Sequence, residues 1–298
     1  SKEPWYKEPL HKLNFLERWF YKKTFGFAIT HVAPIWVFEY LKKYSKKCLK
    51  MDRKPIDLTL FQKVPTSLSK KKEKFTFFCP QRMGIPKGTD ILWKALEYCK
   101  TDFQILQVDW RDTGTDEENK TSLQLKDNLP PQVKLIPMIN RKNMPSYYYW
   151  ADAVIGNLRI GSFEYIELEA VICKKPVVSF TNKSFKVILE GIELQSPFLP
   201  EDNDPKIIAK TIDNIVSSAD FRETLYKKEY EFVKEITEPN KAAEWWDLLF
   251  EKSVKKYDSI NRKSSITSVK FRMLLFLIAN RLYYKKLKRL IIPYKHDM

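Results

Sequence analysis

Between residues 75 and 180, short apolar runs alternate with segments of helical spacing, and this alternation restricts the fold more than any other feature of the chain. Phe75-Thr-Phe-Phe-Cys79, residues 103–108, 133–137 and 153–155, and Pro176-Val-Val-Ser-Phe180 read as strands. Residues 89–99, 122–127, 144–150 and 162–173 read as helices between them. Strands that are apolar at nearly every position are buried on both faces, as in a parallel sheet with helices on either side. Strand–helix repetition of this kind predicts an α/β, doubly wound, Rossmann-like parallel sheet. Residues 204–217, 219–235 and 240–255 add three helices. Ahead of the repeat, residues 13–23 read as a helix and 25–32 as a strand. Residues 34–44 read as a helix with Pro34 near its start and lysines at its end. The polar, lysine-rich residues 65–74 read as a linker. The expected units are therefore 1–65, 66–258 and a tail, 259–298.

The chain of 298 residues is long enough for one large or two smaller domains. Its four cysteines (Cys48, Cys79, Cys99, Cys173) and three histidines (His11, His31, His296) are scattered, without metal-ligand spacing. Reduced thiols and a cytoplasmic setting are expected, with no secretory h-region and no run of ~20 apolar residues. The formal charge of +16 is concentrated at the ends: residues 1–74 carry +11, residues 261–298 carry +9, and the middle is near −4. A nucleic-acid enzyme more often carries its charge on the central fold, so nucleic acid is not an expected partner. Basic ends fit an anionic membrane surface better. In the tail, Met273-Leu-Leu-Phe-Leu-Ile-Ala279 precedes Arg281, Lys285, Lys286, Lys288 and Arg289, interleaved with apolar residues. That pattern is expected of an interfacial helix, and hence of a peripheral position on the cytosolic face of a membrane.

Two stretches carry chemistry. Pro80-Gln-Arg-Met-Gly-Ile-Pro-Lys-Gly-Thr-Asp90 follows the first strand of the repeat, so Arg82 and Lys87 bracket a Gly/Pro loop at the carboxyl edge of the sheet. A planar guanidinium and a point-charge ammonium beside a helix N-terminus suit a diphosphate. Gly161-Ser-Phe-Glu-Tyr-Ile-Glu-Leu-Glu-Ala-Val-Ile-Cys-Lys-Lys-Pro-Val-Val-Ser-Phe180 reads as loop, helix, turn and buried strand. Ser162 is the expected N-cap, and Glu164, Glu167 and Glu169 are the candidate carboxylates. Asp109 and Arg111 lie at the same edge and read as a loop ion pair. His31 follows an expected strand end, and Tyr147–Trp150 reads as packing.

Taken together, Arg82-x4-Lys87-Gly88 and Leu168-Glu-Ala-Val-Ile-Cys-Lys-Lys-Pro-Val-Val178 resemble the nucleotide-sugar-binding domain of retaining glycosyltransferases of family four, with GT-B architecture. Met144-Pro-Ser-Tyr-Tyr-Tyr-Trp-Ala-Asp-Ala-Val154 and Pro55-Ile-Asp-Leu-Thr-Leu-Phe61 resemble the segments that precede the family's glutamate motif and link its two domains. The resemblance spans roughly residues 25–255. It implies a sugar transferred with retention from a nucleotide-sugar donor to a lipid-linked or glycan acceptor. Arg82 and Lys87 would hold the diphosphate and stabilise the departing charge. Glu169 would bind the ribose hydroxyls. Gly161, Ser162, Phe163 and Glu164 would lie against sugar and phosphate, and Met138, among residues 136–139, would border the base. No metal is implied, because the two cations do its work.

The chain departs from the family pattern in three places. Gly161 stands where the family carries a glutamate that contacts the donor sugar; Glu164 is the nearest substitute, and Glu167 reads as a surface residue. Lys174 replaces the usual glycine at the helix C-terminus. Only about 60 residues precede the linker, so the acceptor-side domain reads as truncated, and a non-catalytic nucleotide-sugar-binding protein or subunit is the alternative.

Overall fold

The computed structural model describes residues 31–42, 48–65, 72–110 and 116–259. The helix expected at 13–23, Arg111 and the basic tail lie outside these residues. Five strands form one parallel sheet: β3 (Phe75–Cys79), β4 (Phe103–Val108), β5 (Val133–Ile136), β6 (Ala153–Ile155) and β7 (Val177–Val178). Their order is β5-β4-β3-β6-β7. The chain thus builds outward from β3 to β5 on one side and from β6 to β7 on the other, and at this change of winding a crevice opens between β3 and β6 at the carboxyl ends of the strands.

Pleating divides the strand residues between two cores. Phe78, Val154 and Val177 face one cluster, and Phe77, Ala153, Ile155 and Val178 face the other. The first cluster is closed by α5 (Met144–Trp150), α6 (Tyr165–Ile172) and α8 (Ala219–Thr237). The second is closed by α3 (Thr89–Leu96) and α7 (Pro205–Ser217). A sheet buried on both faces is what the continuous apolar runs require. The helix expected at 122–127 starts earlier, as α4 (Asp116–Asp127), and α9 (Pro239–Ser259) ends the described chain.

Ahead of the sheet, β1 (His31–Ala33) and β2 (Cys48–Lys50) pair in parallel around α1 (Ile35–Leu41). His31 lies in β1, and the residues that precede it are outside the described residues. The short α2 (Leu58–Phe61) carries Phe61, fully buried in the first cluster. A hairpin of β8 (Val187–Leu189) and β9 (Ile192–Leu194) follows β7. All four cysteines are free thiols, as expected, and Cys48, Cys79 and Cys173 are buried. Among the described residues no helix is long and apolar enough to cross a membrane.

Helix α6 ends in a complete Schellman turn: Lys174 N–H donates to Val171 O at 2.9 Å and Lys175 N–H to Ala170 O at 3.0 Å. Lys174 takes φ +62° there, the left-handed conformation that glycine adopts without strain.

Glu229 of α8 is fully buried, and its carboxyl accepts from Val177 N–H at 3.1 and 3.3 Å. Burial pushes its pKa well above the ordinary carboxylate range, and the backbone hydrogen bond only partly opposes this. A raised folded-state pKa means the folded chain holds the proton more tightly than the unfolded one. The wild type should therefore lose stability as pH rises from about 4.3, the unfolded glutamate value, towards the folded pKa. Glu229→Gln should remove that slope, with the gap between the two proteins widening by at most about 1.4 kcal/mol per pH unit in the window. Urea melts of both proteins from pH 4 to 8 measure this, and parallel curves would contradict it.

Candidate active site at the sheet's carboxyl edge

The loop leaving β3 carries Gln81, Arg82 and Lys87, and the loop leaving β6 runs from Gly156 to Glu164 at the N-terminus of α6. Both lie at the crevice between these two strands. Their spacing is set by main chain. Gly88 has φ +78°, and a Cβ on it would lie 3.0 Å from the Leu158 carbonyl carbon and 3.1 Å from Arg159 N. Leu158 N–H donates to Lys87 O at 3.2 Å. Gln81, 4% exposed, ties the two strands together by donating from Nε2 to Gly156 O. A small pocket opens here between Arg82, Lys87, Gly88, Gly156 and Leu158.

Lys87 forms an ion pair with Glu164. Glu164 is the residue that caps α6: its side chain accepts from the Glu167 backbone, and Glu167 Oε2 accepts from Glu164 N–H at 2.8 Å. This capping box corrects the expectation that Ser162 caps the helix, because the first helical residue is Tyr165 and not a residue near 162. Ser162 is buried instead, with Oγ 3.4 Å from Phe163 O.

Glu167 is a second correction. It is 1% exposed, not a surface residue. Its Oε1 accepts from Asn157 N–H at 2.8 Å and from Ser179 Oγ at 2.9 Å, so one carboxylate joins the ends of β6 and β7 to the cap of α6.

Gly161 takes φ +76°, and a Cβ there would meet Asn182 Cβ at 2.6 Å and Phe180 Cε1 at 2.8 Å. Asn182 N–H donates to Gly161 O at 2.8 Å. Gly161 is thus demanded by its own backbone and by close packing. The Phe163 ring faces the core, edge-on to Phe232 at 5.3 Å.

Glu169 is 2% exposed. It accepts from Tyr148 OH at 3.2 Å and pairs with Arg141 Nη2 at 2.8 Å. Burial raises its pKa, and Arg141 pulls the other way. Burial, then Glu169, also drive the Tyr148 phenol well up. Arg141 follows β5, as does Met138, which is 59% exposed at the same sheet edge, two strands from β3. Arg82 lies against the Trp110 ring, 5.7 Å from its centroid. Asp109 pairs with Lys126 at 2.6 Å. The aromatic run of α5 packs, as expected: Phe78 stacks on Tyr147 and meets Tyr148 edge-on.

The sequence reading missed Lys54 and Arg141. Lys54 precedes Pro55 in a polar segment, yet it is only 7% exposed and donates from Nζ to Phe163 O at 2.7 Å. Burial lowers its pKa to about 8, against the opposite pull of Glu164 and Glu167. No periodicity marks a lysine that reaches into a site from outside the repeat. Among the described residues, no group of three His, Cys, Asp or Glu gathers where it could hold a metal ion.

The family of glycosyl transferases group 1 matches residues 61–232, more than half of the chain. The chain belongs to this family. Its architecture is shared with solved structures that are distant in sequence. HepE of Anabaena, solved in complex with UDP and glucose, is 17% identical with a TM-score of 0.63, over 82% of this chain and 69% of that one. Sucrose-phosphate synthase from Thermosynechococcus elongatus is 19% identical with a TM-score of 0.62, over 83% and 64%. A glycosyltransferase from Rickettsia africae is 19% identical with a TM-score of 0.57, over 82% and 68%. The chain thus spans about two thirds of the length of these structures. No curated protein sequence matches it. The parallel α/β sheet expected from the strand–helix alternation and the GT-B-like, Rossmann-like domain implied by the resemblance are the fold observed.

Proposed function

We propose that this glycosyltransferase binds a nucleoside diphosphate sugar in the β3–β6 crevice and transfers its hexose, with retention, to a glycan or lipid-linked acceptor. The observation that carries the reading is the meeting of Lys87 with the cap of α6 at the switch point, where an ammonium already holds a carboxylate. A diphosphate offers the same charge to the same ammonium, and the helix N-terminus adds unpaired N–H groups. Arg82 enters from the same loop. When the bond between the sugar and the diphosphate breaks, the electron pair leaves with the diphosphate, and these two cations stabilise it without a metal. Glu169 accepts from the ribose hydroxyls, with Arg141 as its neighbour, and residues 136–139 border the base. UDP in the complex of HepE supports a uridine nucleotide as the first donor to try. The basic residues 264–298 motivate a cytosolic membrane face as the place of action.

A second reading, nucleotide-sugar binding without turnover, is favoured by two features. Gly161 offers no carboxylate to the sugar, and Glu164 already occupies Lys87. Calorimetry with UDP- and GDP-sugars, followed by assay of released nucleotide, separates the two. Lys87→Ala and Arg82→Ala should each weaken donor binding about 10- to 100-fold, the range for one charged hydrogen bond. Unchanged affinity in both variants, with the fold intact by circular dichroism, would remove the reading. Binding without nucleotide release would select the second.

A further inference from the structure

Lys54 lies outside the family match, in the segment that precedes α2. Its main chain is fixed on one side, where its N–H donates to Ile236 O at 3.3 Å, at the C-terminal end of α8. The adjacent Arg53, 3% exposed, clamps the same end by donating from Nη1 to Glu235 O at 2.7 Å. From this anchor the Lys54 side chain crosses to the donor loop. Its ammonium donates to Phe163 O and lies 4.6 Å from the Phe163 ring centroid and 5.7 Å from that of Tyr165. The charged groups that face it are Glu164, Glu167 and Lys87. Glu167 is committed to Asn157, Ser179 and the cap, whereas the Glu164 carboxylate, which also accepts from the Glu167 backbone, is shared between the field of Lys54 and the ion pair with Lys87.

On the reading of this crevice as a diphosphate seat, we propose that Lys54 is a positioning residue that sets how strongly Glu164 competes with the ligand for Lys87. Glu164 is an internal anion standing where the diphosphate binds, and the ligand must displace it. Lys54 holds the peptide that leads into Glu164 and offers its carboxylate a second cation. With Lys54 charged, Glu164 leans less on Lys87 and yields to a phosphate more readily. Without that charge, Lys87 is the remaining nearby lysine for Glu164, and the seat is harder to open.

The test is a double-mutant cycle on the full chain, Lys54→Met, Glu164→Gln and the pair, reading the Kd of UDP and of inorganic pyrophosphate by calorimetry. Coupling between groups in one network supports the size expected. Glu164→Gln should tighten both ligands about 10-fold, and Lys54→Met should weaken both about 5-fold. In the Glu164→Gln background, Lys54→Met should change neither by more than about 2-fold. A merely structural lysine would give the same loss in both backgrounds, and that result overturns the proposal. So would a Glu164→Gln variant with unchanged or weaker affinity, or absence of pyrophosphate binding from every variant. If Lys54→Met fails to fold, Lys54→Gln replaces it in the cycle, and the Glu164→Gln arm still decides whether the carboxylate competes. The expected pattern with pyrophosphate but no affinity for UDP or GDP would keep the inference and remove the functional reading.

Discussion

Gly161→Glu, which places the family's glutamate in this chain, is expected to lower folding stability by about 3 kcal/mol or more instead of creating sugar recognition. Two costs combine. A residue with a Cβ in the left-handed region costs about 1–2 kcal/mol, and overpacking against a fixed neighbour costs about 1–3 kcal/mol. The neighbours are Asn182 Cβ and the Phe180 ring, both closer than 3 Å to the Cβ position, and the loop is pinned there by Asn182 N–H on Gly161 O. Guanidinium midpoints at unchanged m-value measure the loss. Gly161→Ala separates backbone from carboxylate, because it carries the strain and the Cβ contact without the charge. A Gly161→Glu protein as stable as the wild type, with tighter UDP-sugar binding, would show that the loop has room for the missing carboxylate.

Glu167→Ala is expected to have a comparably large effect, although its carboxylate never reaches the crevice. Removing it leaves Asn157 N–H and Glu164 N–H without their acceptor, while Ser179 Oγ–H keeps Asn157 O at 3.1 Å. Each unmet buried donor costs about 1–3 kcal/mol, so a total loss near 3 kcal/mol or more follows. Glu167→Gln keeps one carbonyl oxygen and should lose less. Hydrogen exchange at Asn157 and Glu164 reports the same event locally: both amides should lose protection in Glu167→Ala, and retained protection would show that the loops close without this carboxylate.

The architecture was legible because each strand is a short apolar run, and helices between such runs leave a parallel sheet as the simplest packing. Phe75–Cys79 and Phe103–Val108 were readable to the residue, since no position of either strand is exposed and apolar residues mark both ends of each run. The hairpin at 187–194 was not readable: only Val187 and Leu189 are buried on its first strand, and Ile188 and Ile192 are exposed although apolar. Lys87 and Glu164 were legible as candidates but not as a pair, because 77 residues separate them and only the order of β3 and β6 brings them together. Glu167 was misread for a related reason. On a short helix with three glutamates, position alone does not say which carboxylate turns inward; the donors it meets come from Asn157 and Ser179, on other elements. Lys54 left no trace, since a long polar side chain before a proline looks the same whether it ends in water or under a loop.

The contact at Gly88 has a consequence for how this site can change. The closest approach of the loop that bears Lys87 to the loop that leads to Glu164 is one of peptide groups resting on one another, at Gly88, Leu158 and Arg159. The gauge of the seat therefore has a main-chain floor that no side-chain change can narrow. A single methyl group at position 88, by contrast, would push the two loops apart and alter the fit of every ligand at once.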